Sequence, residues 1–166
     1  FFSPEGKKIE QNLIEKIIDE QQIFSQYILV CGRYEGVDQR FIDLFVDETW
    51  SLGDFVNSGG ELAAMVIMDA VIRRLPGALG NQNSSVNDSF MNGLLDFPHF
   101  SKPETFESIS VPNVLLSGHH AKIKQWRRQQ SLLITKRHRP DLIQKAREAG
   151  VLTKQDEIWL SKIEIK

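Results

Sequence analysis

Apolar and polar residues follow one another along this chain with periods that predict both helices and strands. A helix is predicted over residues 8–22, because its charged residues share one face and the opposite face is apolar, with Ile9, Leu13, Ile14, Ile17 and Ile18. The apolar run 27–31 predicts a buried strand, and residues 46–50 predict a shorter one. A glycine-bearing loop and then a helical pattern follow each strand, which predicts an α/β arrangement. Before all of these, Ser3–Gly6 predicts a turn.

The helical patterns that follow the two loops differ in length. Residues 37–44 predict a short helix with three large side chains facing inwards: Phe41, Leu44 and Phe45. Residues 61–74 predict a longer helix, and its richness in Ala, Met, Val and Ile predicts that most of its circumference is buried. Ser58–Glu61 has the spacing of a capping box that opens this helix, and Pro76 stops it.

The second half of the chain is predicted to be helical. Residues 80–87 have the composition of a linker, and residues 112–118 predict a short strand that ends at a helix start. A basic helix follows over residues 119–135, then a helix over 141–148, and Thr153 caps a last one. We therefore predict an α/β domain over residues 1–79, a flexible linker over 80–97 and a small helical domain over 98–166.

Composition narrows the class of protein. A hydrophobic fraction of 41% with 25% charged residues is ordinary for a globular protein. No apolar run is long enough to span a bilayer, and no signal peptide opens the sequence. Cys31 is the only cysteine, so no intrachain disulfide can form, which fits a reducing cytosol. The chain opens on Phe1 without a methionine, and we expect it to be a fragment of a longer protein.

The net charge of −2 conceals an uneven distribution. Acidic residues outnumber basic ones over residues 1–80, and the reverse holds over 81–166. The excess of base lies between Gly118 and Pro140, a stretch with no acid that contains Lys122, Lys124, Arg127, Arg128, Lys136, Arg137 and Arg139. Such a run can be a solvated helix face, but seven cations without an acid favour a surface that binds nucleic-acid phosphates.

The two glycine loops, residues 32–36 and 52–61, predict a small-molecule cleft at the edge of the sheet. Neither loop has the spacing of a Walker phosphate loop or of a Rossmann dinucleotide site. Two interpretations therefore stay open from spacing alone. The loops either hold a ligand or form tight turns that pack helices on a sheet.

Single polar residues also allow two interpretations each. Arg73 and Arg74 either complement the dipole at a helix end or bind an anion in the cleft. Asp88 is either a helix N-cap or a carboxylate general base, and Glu35 and Asp54 either stabilise their loops or contact a ligand. His119 and His120 have no metal-ligating companions at useful spacing, so no metal site is predicted from the sequence.

Taken together, five motifs in this order resemble the bacterial tRNA (guanine-N1)-methyltransferases. The motifs lie at Phe2–Gly6, at Cys31–Asp38 (CGRYEGVD), at Ser51–Glu61 (SLGDFVNSGGE), at Asp88–Asp96 and at Val114–Gly118 ahead of the basic helix. The resemblance covers essentially the whole chain. It implies a SPOUT-class fold, in which a parallel sheet carries a deep trefoil knot and a small helical domain follows.

The resemblance also implies a cofactor, S-adenosylmethionine, held by the knot loops in a bent shape. Carried over by motif, the cofactor contacts fall on Gly32, Tyr34, Gly36, Leu52, Gly53, Asp54, Phe55, Val56, Asn57, Gly59 and Gly60. The implied reaction is methylation of N1 of the guanosine immediately 3′ of the anticodon in tRNA. Asp88 would be the general base, Arg73 would stabilise charge on the guanine O6, and Glu35 is linked to Mg²⁺ dependence.

In the family the enzyme is a cytoplasmic homodimer whose active site is shared between two copies. This chain departs from the usual family pattern at Phe55, Asn57 and Ala63. The resemblance also leads us to expect a segment before Phe1 in the parent protein, as relatives have. Two alternatives remain open. One is a SPOUT methyltransferase that acts on another RNA site, and the other is a non-catalytic fragment that binds RNA or cofactor.

Overall fold

A computed structural model describes residues 1–20, 23–24, 26–78 and 88–163. The chain forms two compact units, Phe1–Ser85 and Val86–Lys166. The first unit mixes helices with a small parallel sheet, as predicted, and the second is built mainly from helices. Part of the predicted linker, residues 80–87, lies outside the described residues.

The sheet of the first unit pairs β1 (Phe2–Lys8) with β2 (Trp50–Ser51) in parallel. Both Phe2 and Lys7 are in register with Trp50, so β1 bulges between them. The predicted turn at Ser3–Gly6 is therefore wrong. Pro4 falls inside the bulge, where a missing N–H costs no ladder hydrogen bond. Gly6 is required, since a Cβ there would lie 2.5 Å from the Trp50 nitrogen.

The core of the first unit lies between α1 (Gln11–Asp19), α3 (Glu61–Ile72) and β2. Its buried members are Ile14, Ile17, Trp50 and Ile67. Glu15 on α1 accepts two hydrogen bonds from the guanidinium of Arg74, at 2.9 and 3.0 Å. The Arg74 hydrogen bond holds the pKa of Glu15 below its usual value. Arg74 thus ties the end of α3 to α1.

The predicted strand at residues 27–31 is wrong. These residues form no backbone ladder with β1 or β2. The next residue, Gly32, accepts a hydrogen bond from the Gly60 N–H at 3.1 Å. Tyr27 and Ile28 are exposed, Ile28 to 77%. An apolar run predicts burial but not the edge on which a strand pairs, and β1 and β2 pair with each other in the described chain.

Two helices of the first unit are also less buried than predicted. The short helix α2 (Gln39–Phe45) begins after the N-cap Asp38, but Phe41, Leu44 and Phe45 are exposed rather than turned inwards. On α3 only Ala63, Ala64 and Ile67 are buried. Both predictions fail for one reason, which is that an apolar composition does not say how much protein covers a helix.

The second unit contains four helices among its described residues: α4 (Asn113–Leu116), α5 (His120–His138), α6 (Pro140–Glu148) and α7 (Lys154–Ser161). The strand predicted at 112–118 is wrong, since α4 occupies its place. Both helices predicted over 119–135 and 141–148 are present, but α5 continues three residues past its predicted end and α6 begins one residue early, with Pro140 at its first position. A hairpin of β3 (Thr105–Phe106) and β4 (Ile109–Ser110) precedes these helices. The core consists of Leu94, Leu132, Ile143, Ala146 and Leu160.

Polar contacts join α5 to α7 beside this core. Arg128 donates two hydrogen bonds to the Asp156 carboxylate, whose side chain is only 8% exposed. Asp156 also closes the capping box with Thr153, which confirms the predicted cap. Lys136 donates to the carbonyls of Leu160 and Ile163 and so satisfies the C-terminal end of α7.

Residues 88–97 pack on α5, although their sequence predicts part of a linker. The hydroxyl of Thr135 accepts a hydrogen bond from the Leu95 N–H at 2.9 Å, and Ser131 donates to the Leu95 carbonyl. Leu94 is fully buried beside Leu132. No helix in the described part of the chain is long and apolar enough to cross a membrane.

Candidate functional site

The two glycine loops of the first unit lie against each other. The Gly60 N–H donates to the Gly32 carbonyl, and an added Cβ on Gly60 would lie 2.8 Å from the Cys31 Cα. That contact is with backbone, which cannot move aside as a flexible side chain can. Glycine at position 60 is therefore what allows the loops to touch.

An ion pair makes a second link between the loops. The Arg33 Nε donates to the Glu61 carboxylate at 2.6 Å. This hydrogen bond lowers the pKa of Glu61 and raises that of Arg33, although both side chains are about half exposed. The predicted capping box is wrong, because α3 is capped by Gly60 without a side-chain bond and Glu61 is engaged by Arg33 instead.

A cleft opens where the loops meet the edge of β1. It is lined by residues 2–4, Trp50, Ser51, Ala63 and eight of the predicted cofactor residues: Gly32, Leu52, Gly53, Phe55, Val56, Asn57, Gly59 and Gly60. The sequence motifs thus mark positions that the fold brings together. The cavity volume is about 140 Å³, below the roughly 300–1,000 Å³ of typical small-molecule pockets, so the cleft is a shallow one.

Three predicted cofactor residues do not line this cleft. Tyr34 is fully exposed and has a φ of 57°, in the left-handed region that costs a tyrosine energy. Gly36 lies in the same turn with a φ of 116°. Asp54 forms an exposed ion pair with Lys8 at 2.9 Å.

The loop segment that lines the cleft carries backbone N–H groups without an acceptor among the described residues. The N–H groups of residues 56–59 donate no hydrogen bond to any described residue. They lie just before α3, whose N-terminus adds a positive electrostatic contribution. Apolar walls from Phe2, Phe55 and Val56 stand beside these donors. Such a donor set fits a ligand with a flat heterocycle and several acceptor atoms, as a nucleoside has.

The structure separates the two arginines at the end of α3. Arg74 is held by Glu15 in the ion pair that joins α1 to α3. Arg73 is exposed and lines a second, more open cleft on the other side of the 52–57 loop, together with Leu52, Phe55 and Asn57. Of the pair, Arg73 is therefore the one that lines a cleft beside the second glycine loop.

Asp88 lines a different cleft, which lies within the second unit. Its walls come from Asn92, from residues 94–97 and from one face of α5, with His120, Ile123, Lys124, Arg127, Arg128 and Ser131. Asp88 is half-buried there and does not cap a helix. The fold thus brings Asp88 next to three of the seven predicted RNA-binding cations.

The seven cations do not share one surface. Arg128 is bonded to Asp156, Lys136 caps α7 and Arg139 pairs with Asp141 at 2.7 Å. No described carboxylate lies within ion-pair distance of the remaining four cations, which are Lys122, Lys124, Arg127 and Arg137. These four are exposed and are the side chains of the set best placed to meet a phosphate.

Sequence reasoning did not identify Phe97, an aromatic residue that packs on one of these cations. The guanidinium carbon of Arg127 lies 4.7 Å from the centre of the Phe97 ring, and the His99 ring packs against Phe97 at 4.8 Å. No local pattern links Phe97 to Arg127, because they lie in different elements thirty residues apart.

Glu35 is exposed in the turn of the first loop. The described residues contain no group of three or more His, Cys, Asp or Glu side chains that could hold a metal ion. Glu35 therefore has no cluster of such side chains around it in the part of the chain that the structure describes.

Comparison with known sequences identifies the family. The family model described as tRNA (Guanine-1)-methyltransferase TrmD matches residues 1–145. The chain belongs to this family. The match spans both units and every motif on which the candidate sites rest.

Several relatives named tRNA (guanine-N(1)-)-methyltransferase are similar to the chain. The protein of Polynucleobacter asymbioticus is 56% identical over 95% of the chain and 62% of its own length. That of a Janthinobacterium species is 55% identical over 97% of the chain and 63% of its own length. That of Cupriavidus metallidurans is 60% identical over 84% of the chain and 54% of its own length. The chain therefore spans less than two thirds of these curated relatives.

Proposed function

We propose that the chain is part of an S-adenosylmethionine-dependent enzyme that methylates N1 of the guanosine immediately 3′ of the anticodon in tRNA. The observation that carries the proposal is the contact between the glycine loops, which gathers eight motif residues around one cleft. The names of the relatives agree with it.

The fold of this enzyme would be the SPOUT type, with the chain of the first unit tied in a trefoil knot. Family membership, the parallel pair β1–β2 and the close approach of Gly60 to Cys31 support this part of the proposal. The helical second unit would be the domain that grips tRNA.

The cleft of the first unit would hold S-adenosylmethionine, which supplies the methyl group. The free N–H groups of residues 56–59 would bind polar edges of the nucleoside, and Phe55 and Val56 would cover its flat faces. Since these contacts come largely from backbone, they explain why the motif contains glycine where a side chain would fill the cleft.

Two side chains would act on the guanine. N1 of guanine carries a proton near neutral pH, and the Asp88 carboxylate would accept it as N1 attacks. The Arg73 guanidinium would stabilise negative charge that develops on O6. The link between Glu35 and Mg²⁺ dependence stays a prediction, and Glu35 has no assigned role in the methyl transfer.

The enzyme would be a cytoplasmic homodimer in which one copy supplies the cofactor loops and the other supplies Asp88. Support comes from the family and from the position of Asp88 in the second unit, among cations that suit RNA. The exposed cations of α5 would contact tRNA phosphates.

The test is methyl transfer from labelled S-adenosylmethionine to an anticodon stem–loop RNA, followed by digestion and chromatography of the nucleosides. We expect label in 1-methylguanosine, and no label when adenosine replaces the target guanosine. Label on a ribose 2′-OH would instead support a SPOUT enzyme with another RNA site. Absence of transfer despite binding of both substrates would support the non-catalytic alternative.

A further inference from the structure

The cleft of the second unit has a stacking platform at its wall. Arg127 lies over the face of Phe97, and both side chains line the cleft. The His99 ring packs against Phe97 with 4.8 Å between the ring centres, and His99 is hydrogen-bonded to Asp96 at 2.8 Å. Asp96 also accepts a hydrogen bond from the Phe97 N–H. These contacts fix the plane on which the Arg127 guanidinium rests.

Arg127 keeps an exposed face and an uncompensated charge. No described carboxylate pairs with it, and its side chain is exposed. Guanidinium planes stack on RNA bases, and a guanidinium already held on an aromatic ring offers its other face for that contact. A lysine would keep the charge but not the plane.

Basic side chains line the same cleft beside Arg127. His120, Lys124 and Arg127 are spaced by four and three residues, so they project from one face of α5 into the cleft. Lys124 has no described carboxylate within ion-pair distance. The cleft has a volume of about 530 Å³, within the roughly 300–1,000 Å³ typical of small-molecule pockets.

We propose that this cleft binds one nucleotide of the RNA, with its base stacked on Arg127 and its phosphate at Lys124. The inference rests on the proposed function, which makes RNA the substrate. Because Asp88 lines the same cleft, the bound nucleotide is one that flanks the methylated guanosine.

The test places the fluorescent base 2-aminopurine in an anticodon stem–loop RNA, at the nucleotide on either side of the target guanosine. Stacking quenches this base. We expect the chain, without S-adenosylmethionine, to quench it several-fold at one of the two positions. Arg127→Lys should abolish the quenching and weaken RNA binding by roughly tenfold, in line with the loss of one stacked base.

Two further variants sharpen the test. Phe97→Leu removes the ring beneath Arg127 and should reproduce the loss, with circular dichroism confirming that the helices persist. Arg147→Lys makes the same chemical change on α6, where an exposed arginine pairs with Glu157, and should change neither signal. Equal quenching by the unmodified chain and Arg127→Lys, or no RNA binding, would overturn the proposal.

The outcomes also separate this inference from the function on which it rests. Quenching that depends on Arg127 without any methyl transfer would contradict the proposed function and leave the nucleotide site standing. Methyl transfer to N1 without Arg127-dependent quenching would contradict the nucleotide site alone.

Discussion

One of the two candidate sites of this chain is built mainly from backbone groups, and the other is built from side chains. The cleft of the first unit is made by loops that touch through Gly32 and Gly60 and that present backbone N–H groups. The cleft of the second unit is made by side chains from one face of α5 and from residues 88–97. A backbone-built site is sensitive to any added atom, whereas a side-chain-built site is altered by exchanging one functional group for another.

The difference predicts that the two sites will respond differently to the same kind of substitution. In the first unit, the atom nearest to an added Cβ on Gly60 belongs to the main chain. In the second, Lys124 and Arg127 are exposed and can be replaced without disturbing the core. We therefore expect binding and folding to be coupled in the first unit and separable in the second.

The largest expected effect comes from removing the proposed base. Asp88→Asn keeps the shape of the side chain but removes its ability to accept the N1 proton. We expect single-turnover methyl transfer to fall by about 10²- to 10⁴-fold, the usual contribution of a general base, with S-adenosylmethionine binding unchanged.

Asp43→Asn is the matched control, since it changes an exposed carboxylate on α2 that accepts a hydrogen bond from Gln39. Its transfer rate should match that of the unchanged chain. If Asp88→Asn retained more than a tenth of the rate, Asp88 would not be the base.

The next prediction separates the effect of a steric clash in the first unit from the effect of backbone strain. Gly60→Ala forces a Cβ against Cys31 and should lower the free energy of unfolding by about 1–3 kcal/mol, as overpacking does. It should also weaken S-adenosylmethionine binding at least tenfold, because the loops separate. Urea titration and calorimetry measure the two quantities.

Gly77→Ala provides the comparison, because Gly77 has a φ of 81° and no atom lies within 4 Å of an added Cβ there. It should cost about 1 kcal/mol of stability through backbone strain alone. Unchanged binding in Gly77→Ala together with unchanged binding in Gly60→Ala would refute the backbone-built site.

A third prediction concerns the ion pair between Arg128 and Asp156 in the second unit. Asp156→Asn removes the charge that meets Arg128 and weakens the cap of α7, so we expect a loss of about 2 kcal/mol in urea denaturation. Glu157→Gln, which alters the exposed pair with Arg147, should barely change the midpoint.

The same carboxylate predicts a pH dependence. Burial disfavours the charged form of Asp156, but hydrogen bonds from Arg128 and Thr153 outweigh burial and lower its pKa in the folded state. A lowered pKa contributes stability above the unfolded value of about 3.9, and this contribution is lost as pH falls through the folded value. Stability between pH 5 and 2, measured by thermal unfolding, should fall less in Asp156→Asn than in the unchanged chain.

The smallest expected effect is an increase in stability. The β3–β4 turn places Glu107 and Ser108 at φ values of 45° and 65°, where glycine or asparagine is normally found. Ser108→Gly should raise the free energy of unfolding by up to about 1 kcal/mol. Ser110→Gly, in a paired strand residue of the same hairpin, should lower it. Equal effects of the two changes would mean that the turn is unstrained.

Local signals in the sequence predicted the second unit better than the first. Thr153 caps α7 as predicted, and α6 begins at Pro140, one residue before its predicted start at 141. The motifs also located the residues that form the first cleft. Apolar patterns predicted burial for Ile28 and Leu44, yet burial depends on neighbouring surfaces that a local pattern does not contain.

Contacts between distant residues account for the other differences. Glu61 was predicted to close a capping box, but Arg33, which lies 28 positions away, takes its carboxylate. The basic run was predicted as one RNA-binding set, but α7 engages Arg128 and Lys136. The pairing of Phe97 with Arg127 has the same origin, since only the fold brings them together.

The measurement that tests the account most directly is calorimetric titration of S-adenosylmethionine into the chain, into Gly59→Trp and into Asp88→Asn. A backbone-built cofactor site in the first unit predicts saturable binding that Asp88→Asn leaves unchanged and that the indole of Gly59→Trp abolishes. Absence of binding by the folded chain, or its loss in Asp88→Asn, would contradict the assignment of the cofactor to the glycine loops alone.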